Sequence, residues 1–175
     1  FAATEHNTVY AFDADSGAGP NQAPLWSTQL SNSAQGTSSV LISDLGLSDL
    51  PATEFGITGT PVIDPESNTL YVVAKIKDVS GETVQYYERL FALDIGTGAP
   101  KFGSPVDINP TYPGIGTGTD GNRRIVFDAL YDFQRCGLVL ANGVVYVTFA
   151  SQGDIGPYHG WVVGFDAHTL RQVRV

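Results

Sequence analysis

The sequence has no methionine, one cysteine, only three lysines and no long apolar run. Without Met, Phe1 is not a translation start, so the chain is expected to be processed or a piece of something longer. It shows no signal peptide. A lone Cys136 excludes an internal disulfide and a zinc cluster. It is expected as a small buried apolar residue, or paired with a cysteine outside this segment. The scarcity of cations and a net charge of −9 argue against a duplex nucleic-acid partner, which needs clustered Lys and Arg. Arg123-Arg124 is the one adjacent basic pair. No stretch approaches the ~18 apolar residues of a membrane helix. There is no Asn-x-Ser/Thr acceptor, because Pro110 interrupts the tripeptide at Asn109.

Aromatics, Gly and Pro are plentiful. Nine Phe, eight Tyr, twenty Gly and ten Pro in 175 residues favour strands and turns over helices. The pattern repeats. "TVYAFDADSG", "RLFALDIGTG" and "WVVGFDAHTL" align on Asp13, Asp94 and Asp166. A large apolar residue precedes each Asp (Phe12, Leu93, Phe165), and a small one lies two before (Ala11, Ala92, Gly164). A hydroxyl follows three later: Ser16, Thr97, Thr169. Asp closes turns through its own backbone, so these three carboxylates read as turn formers rather than catalysts.

Further units flank each copy. "FAATE", "YVVAK" and "YVTFAS" precede it, and before two of these stand "GITGTPVID" and "QRCGLVLAN". "APLW" and "APKF" follow the first two aspartates. Named A to D in order, the units predict four-stranded antiparallel blades at a spacing of about 70 residues. Asn142-Gly143 signals a type I′ hairpin between A and B of the last blade. The expected fold is all-β, a β-propeller of which this chain holds about two and three-quarter blades: 1–30 (B to D), 56–108 and 125–175. Such a segment cannot close alone, so its partners are the remaining blades or further copies of the chain. Within each blade, alternation predicts Phe12, Leu93 and Phe165 buried, with Ala11, Ala92 and Gly164 on the opposite face.

The stretches "AFDADSG" with Trp26 and "ALDIGTG" with Phe102 resemble the repeat of quinoprotein-type propellers, in which A-x-D-x-x-T-G precedes a Trp that docks between blades. "ATEHNTVYAFDADS", "GITGTPVID" and "GPYHGWVVGFDA" extend the resemblance to bacterial secreted quinoprotein-like repeat proteins over nearly the full length. In the third copy Leu170 stands where the motif has Gly, and the aromatic is absent. The resemblance implies a secreted, periplasmic or cell-surface protein. It leaves activity open, because propellers host many functions. A scaffold or binding module is one reading. A dehydrogenase using pyrroloquinoline quinone and calcium is the alternative, its site mostly outside this segment. A third is self-assembly through blade edges. The vicinal cysteines often found in the dehydrogenases are absent, and no residue here is assigned to catalysis or to a metal.

The longest links, roughly 31–55, 103–133, 75–86 and 151–159, are expected on one face of the propeller, a natural binding surface. Its candidates are Asp120, Arg123, Arg124, Asp154, Tyr158 and His159, for a glycan or small-molecule ligand. The arginine pair suits an anionic group. Three sharper motifs are weak. Gly116 to Gly121 spells G-x-G-x-x-G, but "RIVF" follows where dinucleotide binding needs a helix. Asp120 alone is too few oxygens for calcium. Ser151, Asp154 and His159 are close in sequence, which is not triad geometry; His159 reads as bonded to backbone. His6 and His159 belong to different blades, which argues against a shared metal.

Overall fold

The structure, a computed structural model, describes residues 1–15, 23–48 and 52–175. Three antiparallel sheets carry the three aspartate turns. The first is β1 (Ala2–Ala3), β2 (Thr8–Ala11) and β3 (Trp26–Gln29), in that order. The link to the next sheet holds β4 (Thr37–Ser38), β5 (Val40–Leu41) and β6 (Glu54–Phe55), of which β5 and β6 pair with each other. Sheet two contains β7 (Val62–Asp64), β8 (Thr69–Ser80), β9 (Thr83–Asp94) and β10 (Val106–Asp107). Its order is β10-β9-β8, and both β7 and β4 pair along the far edge of β8. A separate hairpin, β11 (Thr111–Pro113) with β12 (Arg124–Val126), leads to sheet three. That sheet is β13 (Asp132–Gln134), β14 (Val139–Ala141), β15 (Val144–Ser151), β16 (Trp161–Asp166) and β17 (Gln172–Arg174). Here β13 and β14 share one edge of β15, and β16 and β17 follow on the other. No α-helix occurs among the described residues.

The aspartate turns form as the spacing requires. Asp94 Oδ1 accepts the backbone N–H of Gly96 and Thr97 and the Thr97 hydroxyl, at 3.1, 3.0 and 2.9 Å. Asp166 Oδ1 makes the same three bonds with His168 and Thr169, at 3.1, 2.9 and 2.8 Å. The threonine hydroxyl holds each carboxyl below its ordinary range. Asp13 Oδ1 accepts from Asp15 N at 3.0 Å; Ser16 and Gly17 lie outside the described residues. Gly98, at φ +73, closes the second turn, and Leu170 takes the same left-handed conformation at φ +54. A branched side chain is strained there. Leu170 is tolerated because its side chain is buried in the core. Asn142 and Gly143, at φ +52 and +72, form the type I′ turn between β14 and β15.

Packing between the sheets follows one rule. Sheet one lays Val9, with Trp26 beside it, on the face of sheet two that carries Leu70, Val72, Phe91 and Leu93. Sheet two lays Tyr71, Val73, Leu90 and Ala92 on the face of sheet three that carries Val145, Val147, Phe149, Val163 and Phe165. At each contact an aromatic donor caps the carbonyl that follows the aspartate of the next sheet. Trp26 Nε1 donates to Ile95 O at 3.0 Å, and Tyr71 Oη to Ala167 O at 2.7 Å. Gly98 has no room for a side chain, since a Cβ there would lie 2.6 Å from the Trp26 ring. Phe102 stands edge-on to His168 of the third turn, ring centres 5.9 Å apart.

Four expectations are corrected. Phe12 is 42% exposed, whereas its counterparts Leu93 and Phe165 are at 0% and 2%. Leu93 and Phe165 pack against the preceding sheet, whereas Phe12 stacks on Tyr10 of sheet one, ring centres 6.1 Å apart. The stretch 75–86 is not a loop: β8 and β9 pair without interruption to Ser80 opposite Thr83. Gly81, at φ +62, permits the tight reversal. Cys136 is exposed, on the bend where the edge of sheet three passes from β13 to β14. The fourth strand of sheet two is longer than "APKF" and is broken: Pro100 bridges Leu93, with bonds from Asp94 N to Ala99 O and from Lys101 N to Ala92 O at 2.8 Å each, and pairing resumes at Val106–Asp107.

Candidate functional site

Two of the expected links touch, 103–133 and 151–159. The turn between β11 and β12 leans on the segment joining β15 to β16. A Cβ on Gly118 would approach Pro157 to 2.9 Å, and His159 Nε2 donates to Thr117 O at 2.5 Å. His159 is therefore held by a backbone carbonyl, as its surroundings in the sequence suggest. It also borders an open cavity of about 330 Å³ lined by Tyr112, Ile125, Trp161 and Val162.

The remaining candidates serve mainly local structure. Asp120 Oδ1 accepts from Asn122 N and Arg124 N at 2.8 and 3.3 Å, closing the turn. Arg123 is exposed, with φ +61. Arg124 is exposed as well, and its Nη2 donates to the Thr111 hydroxyl. Asp154, at φ +57, lends its carbonyl to Tyr158 Oη at 2.8 Å. Ser151 Oγ donates to Pro157 O at 2.9 Å, so Ser151, Asp154 and His159 make no triad. The glycine-rich Gly116 to Gly121 leads into β12, a strand, and has no helix N-terminus to hold a phosphate. His6 sits apart from His159: its Nδ1 lies 3.1 Å from each Glu54 carboxylate oxygen. Glu54 also accepts from the Ser39 hydroxyl, which with His6 holds its carboxyl below the ordinary range.

Beneath these links lies a polar network that composition and motifs did not reveal. Lys75 on β8 and Glu88 on β9 stand directly opposite each other, and each is 1% exposed. The Lys75 ammonium donates to Glu88 Oε1 at 3.2 Å, Ala129 O at 2.7 Å and Asp132 O at 3.2 Å. All three of its hydrogens thus find acceptors, which a buried ammonium requires. Burial pushes the Glu88 carboxyl up to about 7 despite the attraction of Lys75. Burial likewise pushes Asp132 up to about 6, against the bond its Oδ2 accepts from Asp128 N at 2.8 Å. The Trp161 indole favours the Asp132 carboxylate without reaching hydrogen-bond geometry. This network fastens the start of sheet three to sheet two and fixes the segment from Asp128 to Asp132.

Among the described residues no three His, Cys, Asp or Glu side chains gather as metal ligands. No helix of the described residues is long and apolar enough to cross a membrane. No protein-family model, curated protein or solved structure matches the chain.

Proposed function

We propose that this chain is a segment of a quinoprotein-like β-propeller of the secreted or cell-envelope type, acting as a scaffold or binding module. One observation carries the reading. Residues at equivalent repeat positions change from buried to exposed only at the two ends of the series. Leu93 and Phe165, one before their aspartates, are covered by a preceding sheet, whereas Phe12 is open. Val9 and Leu90, four before, are at 0% on faces covered by a following sheet, whereas Val162 is 58% exposed. The two open faces are thus the unmatched halves of the same interface. A ring of such sheets leaves neither half open, and the chain supplies about two and three-quarter blades of one. The partners are the remaining blades or further copies of the chain, and the touching links 103–133 and 151–159 form the binding face.

Light scattering over a range of concentrations tests this, with wild type beside Phe12→Asp and Val162→Asp. Association or aggregation that both substitutions weaken supports the reading. A stable, monodisperse monomer of the 175 residues overturns it. The dehydrogenase alternative places its ligands outside the described residues, and an absorbance scan of the native protein for a bound quinone is its test.

A further inference from the structure

We propose that the outer edge of β9 next to the hairpin tip is a docking site for an extended, basic peptide strand, which adds to sheet two. The site rests on the hairpin and on the segment from Val126 to Leu130, not on how the series of sheets continues. In an antiparallel ladder, alternate residues turn their N–H and C=O toward the outer edge. The bond from Ile108 N to Glu88 O, at 2.8 Å, fixes that phase for β9. Tyr86 and Val84, two and four residues back, therefore also point their backbone groups outward. Among the described residues no hydrogen bond reaches those groups, because β10 pairs only with Leu90 and Arg89 and the chain leaves the edge at Asn109-Pro110.

The opposite edge of the hairpin is treated differently. There β4 pairs with Lys77 and Asp78, and Val79 N donates to Gly36 O at 2.9 Å. Exposed edges are ordinarily short, charged, broken by proline or covered. The stretch from Thr83 to Tyr87 has no proline and no charge, and Val84 is exposed. It is also not a bare edge. Two adjoining hollows of about 400 and 320 Å³ lie along it, sharing Tyr86, Tyr87, Asp128 and Ala129. Strand rise, strand spacing and sheet thickness give about 160 Å³ per strand residue. Each hollow thus has room for about two strand residues, one wall being the β9 edge and the other the segment from Val126 to Leu130. That second wall is held by the Lys75 bond to Ala129 O, so the groove is preformed.

Charge selects the occupant. Arg89, lying on the Tyr87 ring, is paired with Asp107 at 2.7 Å, so of the carboxylates lining the hollows Asp128 is the one without an ion pair among the described residues. Glu82 stands at the tip, and the chain carries −9 overall. A strand with alternating apolar and cationic residues fits both the edge and the field.

The test uses a fluorescent, end-capped octapeptide of alternating valine and lysine. Three controls accompany it: the valine–glutamate counterpart, a version N-methylated at alternate residues, and the protein variant Val84→Pro. The Val84 N–H points outward, so proline there removes a docking donor without breaking the β8–β9 ladder. Anisotropy titration is expected to show binding of the lysine peptide that weakens about tenfold or more on N-methylation and in Val84→Pro, with little binding of the glutamate peptide. Hydrogen exchange at Val84 and Tyr86 should slow in the complex. Equal binding of the methylated and unmethylated peptides means mere charge attraction and overturns the proposal, as does no binding at all. If Val84→Pro fails to fold, the methylated peptide and the exchange rates decide alone.

Discussion

Replacing Glu88 with Gln should stabilise the protein in mildly alkaline solution, although it removes half of an ion pair. Glu88 and Asp132 are both raised by burial, to about 7 and about 6, from 4.5 and 3.8. A carboxyl raised on folding stabilises the fold fully below its unfolded value, and that contribution is lost as pH rises through the folded value. The window is therefore pH 4 to 8, and the native state should weaken across it. The interval for Glu88 corresponds to roughly 3 kcal/mol, at one decade per 1.36 kcal/mol. Asp132 spans a similar interval. The two do not simply add, because Asp132 itself raises Glu88. At pH 5 Glu88 is already neutral, and Gln preserves its shape and its carbonyl acceptor for Lys75. Glu88→Gln should thus lie within about 1 kcal/mol of wild type near pH 5 and exceed it by up to about 3 kcal/mol near pH 8. Urea unfolding at pH 5, 6, 7 and 8 reads this directly. A variant destabilised equally at every pH would show that Glu88 stays ionised, and that the attraction of Lys75 outweighs burial. Below about pH 4 the sign reverses, since Asp64, Asp94 and Asp166 are held low by hydroxyl donors and lose those bonds on protonation.

The repeat supports a paired test at equivalent positions: Phe165→Ala should cost about 3–5 kcal/mol in thermal or urea unfolding, and Phe12→Ala under about 1 kcal/mol in the isolated chain. Leu170→Gly relieves a left-handed leucine worth about 1 kcal/mol but empties a buried site worth about 2–5 kcal/mol, so its melting temperature should fall. Changing both Arg123 and Arg124 to Ala should leave the melting temperature nearly unchanged and weaken binding to an anionic glycan array; unaltered binding would remove this pair from the binding face.

What was legible in the sequence was local. The bonds within the Asp94 and Asp166 turns involve residues two or three apart, so residue type and spacing specify them. The type I′ turn at Asn142-Gly143 is legible for the same reason. Phe12 was not, because burial belongs to the neighbouring sheet rather than to the strand. The hairpin of β8 and β9 is hidden in the sequence because Lys75, Lys77, Asp78 and Glu82 make 75–86 look like a polar loop. A signal was present, however. A two-residue reversal at Gly81-Glu82 sets Ser80 against Thr83, and continuing the register sets Lys75 against Glu88. Opposite charges at mirrored positions of a hairpin are what a buried cross-strand pair looks like in one dimension. The rest of the site adds acceptors that no motif encodes, the carbonyls of Ala129 and Asp132, which come within reach only when sheet three packs on sheet two. The ion pair is therefore a consequence of the interface as much as a support for it. Its ammonium would be too costly to bury in either sheet alone, and this ties the order of the segment from Asp128 to Asp132, one wall of the β9 groove, to the docking of the two sheets.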